Sequence, residues 1–107
     1  MALYPTTNDW TAARSASGMQ TTDHQDMHAG ELETSILLHA APYLVRNSYH
    51  QADHIADSRA GLLTLGMQGY TKTGVIGRPS LATAAKGSAA ISSLTESFQG
   101  CLDLLTK

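Results

Sequence analysis

Cysteine is almost missing from this chain: Cys101 stands alone among 107 residues. An intrachain disulfide is therefore excluded, and so is a metal site built from several thiolates. The helical spacing around Cys101 reads it as a small core residue. Long apolar runs are missing too. The longest unbroken stretch of strong hydrophobes is Ile36-Leu37-Leu38, far short of the roughly 20 residues that a membrane-crossing helix needs. The opening MALYPTTNDW carries neither the basic start nor the apolar stretch of a secretory leader. Basic residues are few, seven in all and scattered singly, and the net charge is −2. No positive field is present to attract nucleic acid or anionic lipid. These absences together fit a cytoplasmic protein with neither nucleic acid nor membrane as a partner.

One further absence is local. No Lys or Arg lies between Arg14 and Arg46. What fills that gap is acid and imidazole. The stretch DHQDMHAGELETS, residues 23–35, holds Asp23, His24, Asp26, His28, Glu31 and Glu33. The length suits one domain or part of one.

Periodicity and punctuation place this stretch in context. Ala2–Tyr4 reads as a short apolar strand stopped by Pro5, and residues 6–17 as a surface loop with one helical turn near Trp10–Arg14. Leu32, Ile36, Leu37 and Ala40 mark one face of a helix that Pro42 ends. Glu31 and Glu33 fall in its first turn, where acids favour the positive end of the helix dipole. His50, Asp53, His54 and Asp57 would share one helical face, a solvated one. Leu62–Leu65 reads as a short strand. Residues 66–80 form a turn-rich loop, in which Gly74-x-x-Gly77-Arg78 is a turn rather than a phosphate cradle. Ser80 is placed to cap the last helix. There Ile91, Leu94, Phe98, Cys101, Leu102 and Leu105 recur at helical spacing, the strongest periodic signal in the chain. Gly87 and Gly100 each cost about 1 kcal/mol inside a helix relative to Ala, so close packing is expected against both.

His28 and Glu31 are three residues apart, so their side chains converge if the helical turn begins that early. A neutral imidazole and a carboxylate suit zinc, manganese or iron. A metal there would lower the pKa of bound water towards ~7 and make a nucleophile. A neighbouring His or Glu could then pass a proton to a leaving amine. The missing cations matter, because a positive side chain beside the site would oppose metal binding. The plainer reading is that acids in a first helical turn serve the dipole alone.

The stretch MHAGELETSILLHAAPYLVR resembles the HAGExETS signature of the creatininase family. The later LLTLGMQGYTKTGVIGRPSLATAAKG is similar to the Gly-x-Ile-Gly-x-Pro…Ala-Thr…Lys-Gly region of that family, in the same order and at a like separation. The wording around the signature is most similar to the mycobacterial-type branch that includes mycofactocin precursor peptide peptidases. The resemblance implies a three-layer α/β fold with a mostly parallel sheet. It implies hydrolysis of a C–N amide bond in a small molecule or peptide at a metal site, zinc before manganese or iron. It also implies a homo-oligomer, commonly a hexamer. On the motif positions, Glu31 becomes the expected metal ligand and His28 the expected catalytic proton carrier. Glu33 becomes a second catalytic residue that holds substrate or orients the helix. Thr34 and Ser35 become structural.

The family's first half supplies a Glu-x-His pair, an Asp after Leu-Pro-Leu and a His in Gly-His-Gly-Gly-Asn. None of these occurs here. Residues 1–107 therefore read as the C-terminal portion of a single creatininase-like domain, from a truncated gene, a split gene or a misplaced start. With most ligands missing, a metal would be held weakly, since a catalytic zinc commonly needs about three protein ligands. An unpaired sheet edge and uncovered helix faces are also expected. Two rival readings stand beside the amide hydrolase of peptide type. One is a creatinine amidohydrolase proper, and the other a truncated, non-catalytic module that only docks with other subunits.

Overall fold

The computed structural model describes all residues, Met1–Lys107. Helix α1 spans Thr7–Ser17, where a loop with one helical turn is expected. Its start is a capping box: the Thr6 side chain accepts from the Asp9 N–H, and Asp9 accepts from the Thr6 N–H at 2.7 Å. Two donors that a helix start leaves open are thereby satisfied. Gly18, at φ 68°, ends the helix in the left-handed conformation that glycine adopts most readily. Helix α2 spans Glu31–Ala40, and Pro42 follows it as expected. Helix α3 is a single turn, Leu62–Leu65, in place of the expected strand. Helix α4 runs from Ala84 to Leu105, and its cap is Thr83, whose side chain accepts from the Lys86 N–H, rather than Ser80. Short 3-10 turns fill the connections, including Asn47–Gln51, so His50, Asp53, His54 and Asp57 do not share one helical face.

Helices α1 and α2 both pack on α4. Ala13, Leu32 and Ala90 form the centre of that contact, with Met19, Ile36 and Leu94 around it. Two of the three central side chains are alanines, so the helices approach closely and bury little apolar area. Gly87 marks the tightest point. A Cβ there would lie 1.9 Å from the Ser35 carbonyl oxygen of α2. Gly100 meets nothing within 4 Å, so the expectation of close packing fails at that glycine. Beyond Ala90 the apolar stripe of α4 is largely uncovered: Phe98, Leu102, Leu104 and Leu105 are all exposed. Cys101 is half-buried rather than a core residue. The radius of gyration, 15.2 Å, exceeds the ~13 Å of a typical domain this long.

The expected mostly parallel sheet is not found. The backbone pairs only at two isolated bridges, both antiparallel: His28 with Ile76, and His54 with Gly77. Parallel strands need several neighbours joined by crossovers, and no named strand exists in this chain. Ala2–Tyr4 forms no strand either. The Tyr4 hydroxyl donates to the Leu94 carbonyl, and its ring meets Phe98 edge-on at 5.1 Å. The bridges nevertheless do positional work. One pins the segment before α2 to Ile76, and the other pins His54 to Gly77 next door. Gly30 and Gly77 face each other so closely that a Cβ on Gly77 would lie 2.8 Å from the Gly30 Cα.

Candidate functional site

The acid-rich stretch divides at the start of α2. Residues 29 and 30 make the division. Ala29 sits at φ 53°, a left-handed conformation that side-chain-bearing residues rarely adopt. It is held there because the His28 backbone is bonded to Ile76 on one side while α2 begins at Glu31 on the other. The turn is therefore not helical at His28, and the expected convergence of His28 with Glu31 does not occur.

Glu31 goes inward and is fully buried. Its Oε1 accepts from the Thr21 N–H at 2.9 Å and the Thr21 hydroxyl at 2.8 Å, and the Gln20 N–H lies 3.0 Å from both oxygens. Its Oε2 meets the Lys86 ammonium at 2.7 Å. Lys86 also donates to the Leu81 carbonyl at 2.8 Å. Burial alone would raise the Glu31 pKa. The Lys86 ammonium and the Thr21 and Gln20 donors outweigh it and hold the carboxyl below its ordinary value. Glu31, the expected metal ligand, has the surroundings of a buried ion pair. Its oxygens are already taken by donors, and an ammonium occupies the position a cation would need. Glu31 ties the loop after α1 and the first turn of α4 to the first residue of α2.

Asp26, to which the sequence assigns no role, is the second inward acid. Its oxygens accept from the Glu31 N–H at 2.8 Å and the Leu32 N–H at 3.0 Å, capping α2 from outside the helix. Arg14 of α1 closes on the same carboxylate at 2.8 Å. The two cations that neutralise the inward acids thus come from other helices. The signal that could have found Lys86 is its place one residue before Gly87, the closest helix contact. Sequence spacing alone does not reveal that contact.

His28 and Glu33 go outward. The His28 Nδ1 lies 3.8 Å from Glu33 Oε2, and both side chains are 58% exposed. That separation allows electrostatic attraction but exceeds hydrogen-bond length. Glu33 is drawn into place by the Ala29 N–H, which donates to its Oε2. Beside the pair lies an open cleft of about 430 Å³, walled by Ala29, Thr34, Ile36 and Leu37. The Thr34 hydroxyl donates to the Ala29 carbonyl, and the Ser35 hydroxyl accepts from the Thr83 N–H.

The pair has the chemistry to bind a divalent metal, an imidazole with a carboxylate. It supplies two donors, and no third His, Cys, Asp or Glu of this chain joins them in a metal-binding group. The lower set of acids and imidazoles is engaged elsewhere. The His24 ring contacts the Asp57 carbonyl and Arg59. Asp53 accepts from the Ser80 N–H and hydroxyl and pairs with Arg78. Partial burial would raise the Asp53 pKa, but the Ser80 and Arg78 contacts bring it below the ordinary value.

An exposed imidazole and carboxylate thus stand together at the start of α2, beside an open cleft. The sequence model of the creatininase family, described as creatinine amidohydrolase, matches residues 1–102, and the chain belongs to that family. It is 38% identical over 81 residues to a mycofactocin precursor peptide peptidase of Mycobacterium ulcerans, a stretch covering 73% of this chain and 30% of that protein. It is 42% identical over 65 residues to the protein of the same name from Mycobacterium tuberculosis, covering 58% of this chain and 26% of that one. The chain thus spans under a third of the length of these relatives. No solved structure matches. No helix is long and apolar enough to cross a membrane.

Proposed function

We propose that this chain is the C-terminal portion of a metal-dependent amidohydrolase that cleaves a C–N amide bond in a peptide. The observation that carries the reading is the exposed His28–Glu33 pair inside the family signature. The names of the two mycobacterial relatives favour a peptide over creatinine as substrate, with processing of a precursor peptide as the specific form. A bound zinc, or manganese or iron, would polarise the carbonyl and supply ionised water. The remaining ligands would come from polypeptide outside these residues, and the assembly would be a homo-oligomer.

This chain's own part is proton transfer and positioning. An imidazole can give and take protons near neutral pH. His28 hands a proton to the departing nitrogen, which otherwise leaves as a poor anion. The imidazole is open to solvent and fixed through its backbone bonds to Ile76, so its approach to substrate is set by the bridge. Glu33 stabilises the imidazolium before that transfer and keeps the ring from swinging away. Glu31 and Asp26 hold the helix start that presents both residues.

The test supplies the missing ligands. The chain is co-expressed with a family segment carrying the Glu-x-His and Gly-His-Gly-Gly-Asn motifs, loaded with zinc or manganese, and assayed on short peptides, formamides and creatinine. Peptide turnover that falls about 10²-fold or more in His28→Ala, with an unchanged urea midpoint, supports the reading. Turnover indifferent to His28 overturns it. The exposed Phe98, Leu102, Leu104 and Leu105 of α4 favour a second reading, a module that only docks with other subunits. That reading predicts assembly with the supplied segment and no turnover of any substrate.

A further inference from the structure

The cleft beside His28 and Glu33 is not isolated. Ala29, Thr34 and Leu37 are also walls of a second depression of about 310 Å³, whose other sides include Val45, Tyr49 and Val75. That depression shares Ala52 and Thr73 with a third, of about 430 Å³. The third is polar, lined by Gln51, His54, Gln68 and Lys72 among others. Each shares wall residues with the next, so the three lie in a row, a trough that begins at the imidazole–carboxylate pair, has an apolar middle and ends among amides and an ammonium.

The charges of the chain are distributed unevenly along it. Arg14, Arg78 and Lys86 are paired with Asp26, Asp53 and Glu31. Arg59 donates to the Ala56 carbonyl and to His24. Lys107 is the last residue. Of the four cations with no acidic partner, Arg46, Arg59, Lys72 and Lys107, two stand on the trough, Arg46 in its middle and Lys72 at its far end, and neither of these donates a side-chain hydrogen bond. The acids on the same lining are Glu33, at the near end, and Asp53. Asp53, the acid at the far end, is already satisfied by Ser80 and Arg78. Thr71, only 8% exposed, carries a buried hydroxyl with no partner and lies in the wall beside Lys72.

We propose that the trough binds an extended peptide whose carboxylate groups meet Arg46 and Lys72, with apolar side chains over Val45, Tyr49 and Val75 and the amide to be cut at His28 and Glu33. This rests on the peptide reading above and adds the substrate's charge. The carboxylates belong to acidic side chains or to the peptide's own terminus. Both sources present the same planar anion to an ammonium or guanidinium.

The probe is a fluorescein-labelled decapeptide with apolar residues and two Glu, made also with Gln in place of Glu, each as free acid and as terminal amide. Binding to the full chain is read by anisotropy at low and physiological salt. The acidic peptide is expected to bind about tenfold tighter than the Gln version, with the advantage shrinking as salt rises. Arg46→Gln and Lys72→Gln should each weaken it about threefold and together abolish the preference. Both residues are exposed, so the fold should tolerate either change. Loss of binding on amidation alone assigns the contact to the terminus, and loss on Glu→Gln alone assigns it to side chains. Equal affinity for all four peptides, or affinity unmoved by the double variant, overturns the proposal. Anisotropy reads binding without turnover, so the two are measured independently. Charge-selective binding without cleavage in the co-expressed form would therefore sink the hydrolase reading and spare the trough.

Discussion

Two sets of acids and bases meet at the start of α2, and they are built oppositely. The inner set, Glu31 with Lys86 and Asp26 with Arg14, is buried, with its acceptors filled by donors. The outer set, His28 with Glu33, is more than half exposed and loosely spaced at 3.8 Å. Glu31 and Glu33 are two residues apart in one signature. They differ because positions two apart on a helix face nearly opposite ways. A motif letter therefore carries no role until the helix phase is known. The inner carboxylate builds the platform, and the outer one is free to act on something else.

The largest test of this contrast is Glu31→Ala. It strands Lys86 and the Thr21 and Gln20 donors in a buried place, and breaking such a pair costs about 3–5 kcal/mol. A urea titration should show that loss. A small loss, with weakened metal affinity instead, would return Glu31 to the role of ligand. The same carboxylate sets the acid response. Its folded pKa lies below the ordinary value, so the unfolded chain binds the proton more tightly. Its stabilisation is full above the unfolded pKa of about 4.3 and is lost as pH falls through the lowered folded value. Unfolding midpoints measured down that range should fall less steeply in Glu31→Ala.

The outer pair predicts the reverse pattern. Glu33→Gln keeps an acceptor for the Ala29 N–H and should change stability by under about 0.5 kcal/mol. In the co-expressed enzyme it should slow turnover about 10-fold or more, through lost support of the imidazolium. Equal stability losses at residues 31 and 33 would erase the distinction. Two glycines of α4 sharpen it at smaller scale. Gly87→Ala forces the Ser35 backbone away and should cost about 1–3 kcal/mol. Gly100→Ala meets open space and should stabilise by up to about 1 kcal/mol, seen as a higher melting temperature.

Much of the helical content was readable in advance. The spacing of Leu32, Ile36 and Leu37 and the stop at Pro42 located α2, and the apolar period ending at Leu105 located α4. Helix α1 was read as mostly loop because Thr and Ser dominate it. The Thr6–Asp9 capping box, Arg14 in the last turn and three alanines outweigh that composition. The strand expectations at Ala2–Tyr4 and Leu62–Leu65 rested on short apolar runs, which fit a strand or a helical turn equally well. The gap in positive charge between Arg14 and Arg46 suggested a site without cations. Arg14 and Lys86 fill it from 12 and 55 residues away.

By itself, the sequence determined where α2 and α4 run, which family the chain belongs to, and which residues could carry chemistry. Periodicity and side-chain type are local properties, and they survive without knowledge of the fold. Only the tertiary structure decided that Glu31 faces a lysine and Glu33 faces solvent. That choice depends on where α4 and the 76–77 segment cross the start of α2, and a buried charge is tolerated only where such a crossing brings it a partner.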